Sequence, residues 1–190
     1  KEEFELIRHH FDYSNGYGNR RKIPLQRVIN AILYVVKTGC QWRQLPNDFP
    51  NWKSVYSNYM RWCERGVWEK ALDEINEFHR KKKGRKAKPT YVIIDSQSTK
   101  TVSGGEHRGY DGGKKIKGRK RHIGVDIEGH LLHVEVTAAN EHDTRVGGYT
   151  IESIKTKYPT IEAVSADAGY RGDTVNYAKI LLDIPVHIST

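Results

Sequence analysis

Two carboxylates arrive in the same setting. Asp95 closes the apolar run Tyr91-Val92-Ile93-Ile94, and Asp167 closes Val164-Ser165-Ala166, with Ala168-Gly169-Tyr170 after it. Short apolar runs bounded by small or polar residues read as buried strands. Carboxylates at the tips of neighbouring strands can hold hard divalent ions through oxygen. A basic run precedes the first and another lies between the two. Seven of nine residues from Arg80 to Lys88, and six of eight from Lys114 to Arg121, are Lys or Arg. Such charge density attracts phosphate. Both features together point to metal-dependent chemistry on nucleic acid. Two ions about 4 Å apart can activate a nucleophile and stabilise the leaving oxygen of a phosphodiester.

That scheme calls for a third carboxylate, and none stands out. Asp126 lies beside Glu128-Gly129 and reads as part of a surface turn. Asp143 and Asp173 sit near helix starts, where capping and the helix dipole account for an acidic residue. Other chemistries fit less well. Gly104 and Gly109 have P-loop separation, but Tyr110 stands where the lysine belongs and no helix follows. His130 and His133 are three apart in a strand and point to opposite faces, which argues against zinc. Cys40 and Cys63 read as packing residues. The glycine-rich stretch 103–113 and the basic run Lys114, Lys115, Lys117, Arg119, Lys120, Arg121 read as a mobile loop gripping a DNA backbone.

The elements that must position these residues fall into two blocks. A short helix is expected over 2–11, with Phe4, Ile7 and Phe11 on one face, followed by a loop over 13–21. A helix opens after Pro24 with the stripe Leu25, Ile29, Ile32, Val36, widened by Val28, Leu33 and Val35, and Gly39 ends it. Asn51 caps the next helix, whose apolar face is Trp52, Val55, Tyr56, Tyr59, Trp62 and Cys63 and whose opposite face shows Lys53, Ser54, Ser57, Asn58 and Arg61. A third helix from Val67 buries Trp68, Leu72, Ile75 and Phe78. Three helices with a polar, basic outer face on the middle one suit a helix-turn-helix module, and equally a plain three-helix bundle. Beyond Pro89 the period changes to strand, hairpin (122–127 and 131–137), helix (145–157), strand (161–166), helix (173–183), strand (185–189). That is an α/β order. The expected organisation is a helical DNA-binding domain over 1–79, a basic linker over 80–89 and an α/β catalytic domain over 90–190.

The net charge of +9 is one-sided: 19 basic against 10 acidic residues up to position 90, and 13 against 13 afterwards. The first block therefore reads as the docking half for a polyanion, with Lys53, Arg61, Lys81, Lys82, Lys83 and Arg85 as candidate DNA contacts. No lipid-anchor motif and no apolar stretch of spanning length is visible, and a cytoplasmic setting is expected. Because the sequence begins at Lys1, it is expected to be a fragment or a processed chain.

Several motifs in order resemble a known family. Arg21-Lys22-Ile23-Pro24-Leu25, Asn30-Ala31-Ile32-Leu33-Tyr34 and Thr38-Gly39-Cys40-Gln41-Trp42-Arg43-Gln44-Leu45-Pro46, then Ile94-Asp95-Ser96-Gln97, Gly118-Arg119-Lys120-Arg121-His122 and Ala166-Asp167-Ala168-Gly169-Tyr170, resemble the DDE transposases of bacterial insertion sequences, in the group related to insertion sequence five. The resemblance implies a ribonuclease-H-like catalytic domain, with Asp95 and Asp167 as the first two acids binding Mg²⁺ (Mn²⁺ substituting). It implies cleavage and strand transfer at the element's ends, with double-stranded DNA as partner and a homo-oligomer in the complex. The family's third acid, a Glu on a helix after the last strand, is expected beyond Thr190, so the domain reads as lacking its final helix. On that expectation this chain binds DNA without cutting it, and the alternative to a transposase is a catalytically dead DNA-binding fragment acting as a regulator or inhibitor.

Overall fold

The computed structural model describes residues 2–12, 23–102 and 105–189. The chain divides into two compact units, Lys1–Gly84 and Arg85–Thr190.

The first unit is helical: α1 (Glu2–Phe11), α2 (Leu25–Thr38), a 3₁₀ turn at Trp42–Gln44, α3 (Trp52–Glu64) and α4 (Val67–Lys82). Its core gathers Phe11, Leu25, Val28, Ile29, Ile32, Val35, Val55, Trp62 and Val67. Phe11, Trp62 and Trp68 meet edge to face, with ring centroids 4.9 to 5.8 Å apart, a geometry that adds to the area they bury. Local signals act as expected at two ends. The Asn51 side chain accepts from the Lys53 N–H at 3.0 Å, and Gly39 takes the left-handed φ of 69° that stops α2.

Several side chains depart from the periodic reading. Leu33 and Val36 are 52% and 68% exposed, because the buried stripe of α2 runs through Val28 and Val35. Tyr56 and Cys63 are exposed on α3. On α4 the deepest positions are Val67, Ala71, Asn76 and Arg80, with Trp68, Leu72, Ile75 and Phe78 only half-buried. That helix continues through Lys82, so the first part of the expected linker is its last turn; cations there suit the helix dipole. The expected loop over 13–21 lies outside the described residues.

The second unit is one sheet with helices. Its elements are β1 (Tyr91–Lys100), β2 (Gly109–Asp111), β3 (Ile116–Val125), β4 (Leu131–Ala138), α5 (Asp143–Lys157), β5 (Ala163–Ala166), a 3₁₀ turn at Ala168–Tyr170, α6 (Asp173–Leu181) and β6 (Val186–Ile188). β1 is central. It pairs antiparallel with β3 on one side and parallel with β5 on the other, and β6 adds parallel to β5. β2 and β4 share the far edge of β3. An antiparallel β1–β3–β4 meander joined to parallel β5 and β6 by crossover helices is the ribonuclease-H-like arrangement implied by the motifs.

One sheet face carries the core: Val92, Ile94, Val164 and Ala166 pack with Ile151 and Ile154 of α5 and Ala178 of α6. The opposite face carries Ile93 and Asp95, with Val134 and Val136 in register across β3, all exposed. Two expectations are corrected here. β1 does not end at Asp95; it runs on to Lys100, held by β3 alone, with Ser96 and Ser98 at buried positions where an apolar run would have been looked for. The basic run is not a mobile loop either, since Ile116 to Arg121 is strand β3. The turn before β3 is fastened by Asp111, whose Oδ1 accepts from the Gly113 and Lys114 amides and whose Oδ2 accepts from the Ser98 hydroxyl. Residues 103 and 104 of the glycine-rich stretch are outside the described residues.

Candidate active site

β1 and β5 run parallel through Tyr91↔Ala163, Val92↔Val164, Ile93↔Ser165 and Ile94↔Ala166. Asp95 and Asp167 are the next residue on each strand. The chain after β5 then turns away into the 3₁₀ turn, while β1 continues along β3. This divergence is what opens both carboxylates to solvent. Each has one oxygen tied locally: the Ser96 N–H donates to Asp95 Oδ1 at 2.7 Å, and the Gly169 N–H donates to Asp167 Oδ1 at 3.0 Å. Short local bonds of this kind fix the rotamer of an exposed carboxylate.

Tyr170 forms the floor. It is wholly buried, its hydroxyl is hydrogen-bonded to Ser96 and lies 3.4 Å from His122 Nδ1. Burial holds its phenol far above the ordinary tyrosine range, and the charges of Asp143, Asp95 and Asp167 push the same way. The buried hydroxyl thus lies within the electrostatic reach of Asp143, Asp95 and Asp167. His122, also buried, is pushed below the ordinary imidazole value by desolvation, against the opposing pull of Asp143.

Asp143 was expected near a helix start, and it stands there, in the first turn of α5 where an acidic charge suits the helix dipole, but without a side-chain cap bond. The N-cap of that helix is His142. Its Oδ1 is sealed from solvent with no hydrogen bond, 3.1 Å from Lys120 Nζ. Asp126 is not at the surface: it is buried and accepts from the Glu128 and His130 amides and from His130 Nδ1, holding the β3–β4 turn. Asp173 is the first residue of α6, whose N-cap is Gly172.

Beside Asp143 lies a polar cleft of about 350 Å³, lined by Asp111, Lys114, Lys120, Asn140, His142 and Asp143 among others. Lys114 reaches across it to donate to the Ser96 carbonyl at 3.2 Å. The cations proposed for DNA divide by exposure. Lys53, Arg61, Lys81, Lys82, Lys83 and Arg85 are exposed around the first unit's α3 and α4 and just beyond it, and Lys114, Lys115, Lys117 and Arg121 are exposed on or before β3. Arg119 is half-buried and donates through Nε and Nη2 to the Glu106 carbonyl. Lys120 is the exception: 6% exposed, it donates to the Glu141 carbonyl at 2.8 Å and faces Asp143, so it belongs to the interior.

Among the described residues, one trio has ligating atoms all within 4.8 Å of one another: His9, His10 and Glu74 of the helical unit, which the sequence reading passed over. Adjacent histidines on one helix gave no spacing signal toward a glutamate 64 residues on. Among the same residues, no helix is long and apolar enough to cross a membrane.

Comparison with known proteins gives matches in both units. Residues 86–182 match the family described as "Transposase DDE domain", and residues 1–72 match "Putative transposase of IS4/5 family". The uncharacterized protein y4sN of Sinorhizobium fredii is 27% identical over 90 residues, which is 47% of this chain and 62% of that relative. Two solved structures are similar over most of the chain. The Mos1 transposase paired-end complex with left transposon end matches at 14% identity, covering 97% of this chain and 65% of that one, with a TM-score of 0.34. The Mos1 strand transfer complex matches at 12% identity over 90% and 60%, also at 0.34. The chain thus spans about two-thirds or less of the length of each.

Proposed function

The chain belongs to the transposase DDE-domain family, and on that premise we propose that it serves DNA transposition by metal-dependent cleavage and strand transfer at the ends of an insertion sequence. The observation that carries this reading is the placement of Asp95 and Asp167 one residue past the last β1–β5 pair, on adjacent parallel strands.

The donor set fits a hard divalent cation such as Mg²⁺ or Mn²⁺. Asp95 and Asp167 offer only carboxylate oxygen and are open to solvent. Asp95 and Asp167 would hold the ion. Bound there, it would supply Lewis acidity, activating the attacking water or 3′-hydroxyl and stabilising the leaving oxygen. The chain's own groups do the rest. The Ser96 and Gly169 amides keep the two carboxylates in place. Tyr170 stays protonated and closes the floor to water. Exposed Arg85, Lys114, Lys115, Lys117 and Arg121 attract the phosphate backbone from the catalytic unit, and Lys53, Arg61, Lys81, Lys82 and Lys83 do so from the helical one. The basic outer face of α3 fits a helix entering duplex DNA.

The test is a nicking assay on duplex DNA carrying the element's ends, with and without Mg²⁺. Nicking that needs Mg²⁺ and is lost in Asp95→Asn and Asp167→Asn supports the reading. Salt-sensitive binding without nicking would favour the second reading, a DNA-binding regulator that occupies the ends. Failure to bind DNA at all would remove both.

A further inference from the structure

His9 and His10 are neighbours on α1, and adjacent residues of a helix leave its axis about 100° apart. Both rings nevertheless turn to one carboxylate on α4. His10 Nε2 lies 2.7 Å and His9 Nε2 3.6 Å from the same oxygen, Glu74 Oε2, and the two imidazole centroids are 4.0 Å apart. The three ligating atoms are all within 4.8 Å of one another. A single hydrogen bond from Nε2–H to Glu74 accounts for His10. It does not account for His9. The Leu6 carbonyl, 3.0 Å from His9 Nδ1, can only accept, so Nδ1 carries the hydrogen and the neutral ring has its lone pair at Nε2. A lone-pair nitrogen thus faces a carboxylate oxygen, and two acceptors repel unless a proton or a metal ion lies between them. The bond to Leu6 also fixes the tautomer and the ring, as a carbonyl does behind histidines that ligate metals.

We propose that His9, His10 and Glu74 form a site for a borderline divalent cation of the Zn²⁺ class, which clips α1 to α4. Two imidazoles and one carboxylate suit Zn²⁺, Co²⁺ or Ni²⁺, and not Mg²⁺, which takes oxygen. The ion is a different one from that assigned to Asp95 and Asp167, which lie in the other compact unit, and the inference is independent of that reading. Tetrahedral coordination at about 2.0–2.1 Å sets ligand atoms about 3.4 Å apart. The separation of His9 Nε2 from Glu74 Oε2 is already near this. His10 Nε2 has to withdraw by about 0.7 Å, releasing its hydrogen to solvent as a proton when the ion takes its place. His9 is exposed, and His10 and Glu74 are half-buried, so water can reach the ion as a fourth ligand. The link matters because α1 has only ten residues, too few to hold a helix in water without docking. Its other printed ties to α4 on this side are the ion pairs of Glu3 with His79 at 2.8 Å and Glu2 with Lys82 at 3.8 Å, which are exposed and individually weak.

The experiment uses the 190-residue chain in excess Mg²⁺, so that an oxygen site is filled, with Zn²⁺ and Co²⁺ as probes. Zn²⁺ affinity, melting temperature without Zn²⁺, and amide exchange over 2–11 are measured on the parent chain, His9→Ala and Glu74→Gln. Zn²⁺ should slow exchange over 2–11 in the parent chain. His9→Ala should weaken Zn²⁺ at least about tenfold and leave the melting temperature without Zn²⁺ nearly unchanged, since that ring is exposed. Co²⁺ should give the visible bands of a nitrogen and oxygen site without the near-ultraviolet band of a thiolate ligand, which separates this site from the free thiols Cys40 and Cys63. No Zn²⁺ binding by the parent chain, undiminished affinity in His9→Ala, or a thiolate band would overturn the inference and leave His10 and Glu74 a simple pair. Binding that leaves exchange over 2–11 unchanged would overturn the clip. Should Glu74→Gln not fold, His9→Ala decides, because it keeps the His10–Glu74 bond.

Discussion

Gly147 lies directly against Tyr170: a Cβ on the glycine would stand 2.5 Å from the ring Cδ1, and 2.6 Å from Thr174 Oγ1. This contact lets α5 approach the turn that follows Asp167 and so sets the depth of the candidate site. Gly147→Ala should therefore destabilise the protein, although alanine favours a helix over glycine by about 1 kcal/mol. Overpacking against a buried ring costs about 1–3 kcal/mol. Gly148→Ala is the contrast, because the nearest atoms to its Cβ would be those of the half-exposed Tyr177 side chain, at 3.0 to 3.4 Å. Thermal melts should show a fall for the first substitution and little change or a rise for the second. Equal effects would mean that the approach to Tyr170 is slack.

His122 supplies a pH prediction. Its ring is buried between Tyr170 and Thr137, near Asp143 and Lys120, and desolvation holds its pKa below the ordinary 6.5. With a depressed folded-state pKa, the unfolded chain binds the proton first as pH falls. The stabilising contribution is therefore complete above about pH 6.5 and is lost on acidification through the folded-state value. His122→Gln should flatten the fall in stability between pH 7 and pH 5 measured by urea unfolding without metal. A parallel slope in the two proteins would place the acid-sensitive group elsewhere.

Asp126 is expected to matter for stability and not for ion binding. It is buried, and its two oxygens accept from two amides and an imidazole at the β3–β4 turn. Asp126→Ala leaves those donors unpaired and should cost on the order of 3 kcal/mol. Mn²⁺ affinity should be unchanged in whatever fraction folds. A loss of affinity with unchanged stability would make Asp126 an ion ligand and not a turn-holding residue.

The residues that could be read from the sequence were those whose signal is local. Asp95 and Asp167 each end an apolar run, Asn51 caps, Gly39 stops a helix, and the change of period after Pro89 marks the α/β unit. What escaped was set by tertiary partners. Asp143 looked like a cap because it sits at a helix start, and only the packing of α5 against the sheet sets it against Lys120. Lys120 looked like one more cation in a basic run, yet period 2 along β3 sends it inward while Lys117 and Arg121 point out. Ser96 and Ser98 hid half of β1, since a strand whose buried positions are polar has no apolar alternation to detect. Arg80 was counted with the linker because composition does not show where a helix ends.

That division of the basic residues yields the last prediction. Exposed cations that neutralise phosphates release counterions, and each contributes a slope of about −0.9 in log affinity against log salt. Replacing Lys81, Lys82, Lys83 and Arg85 by Ala should therefore flatten the salt dependence of DNA binding by at most about 3.6. The loss should fall short of that limit, because Arg85 Nε already has Glu128 at 2.7 Å and Lys82 has Glu2 at 3.8 Å. Lys120→Met should leave the slope unchanged, since its ammonium is spent on Glu141 and Asp143 inside the protein. Binding isotherms on one duplex at several salt concentrations read both effects. A slope that falls with Lys120→Met and not with the fourfold substitution would place the DNA against the sheet unit alone.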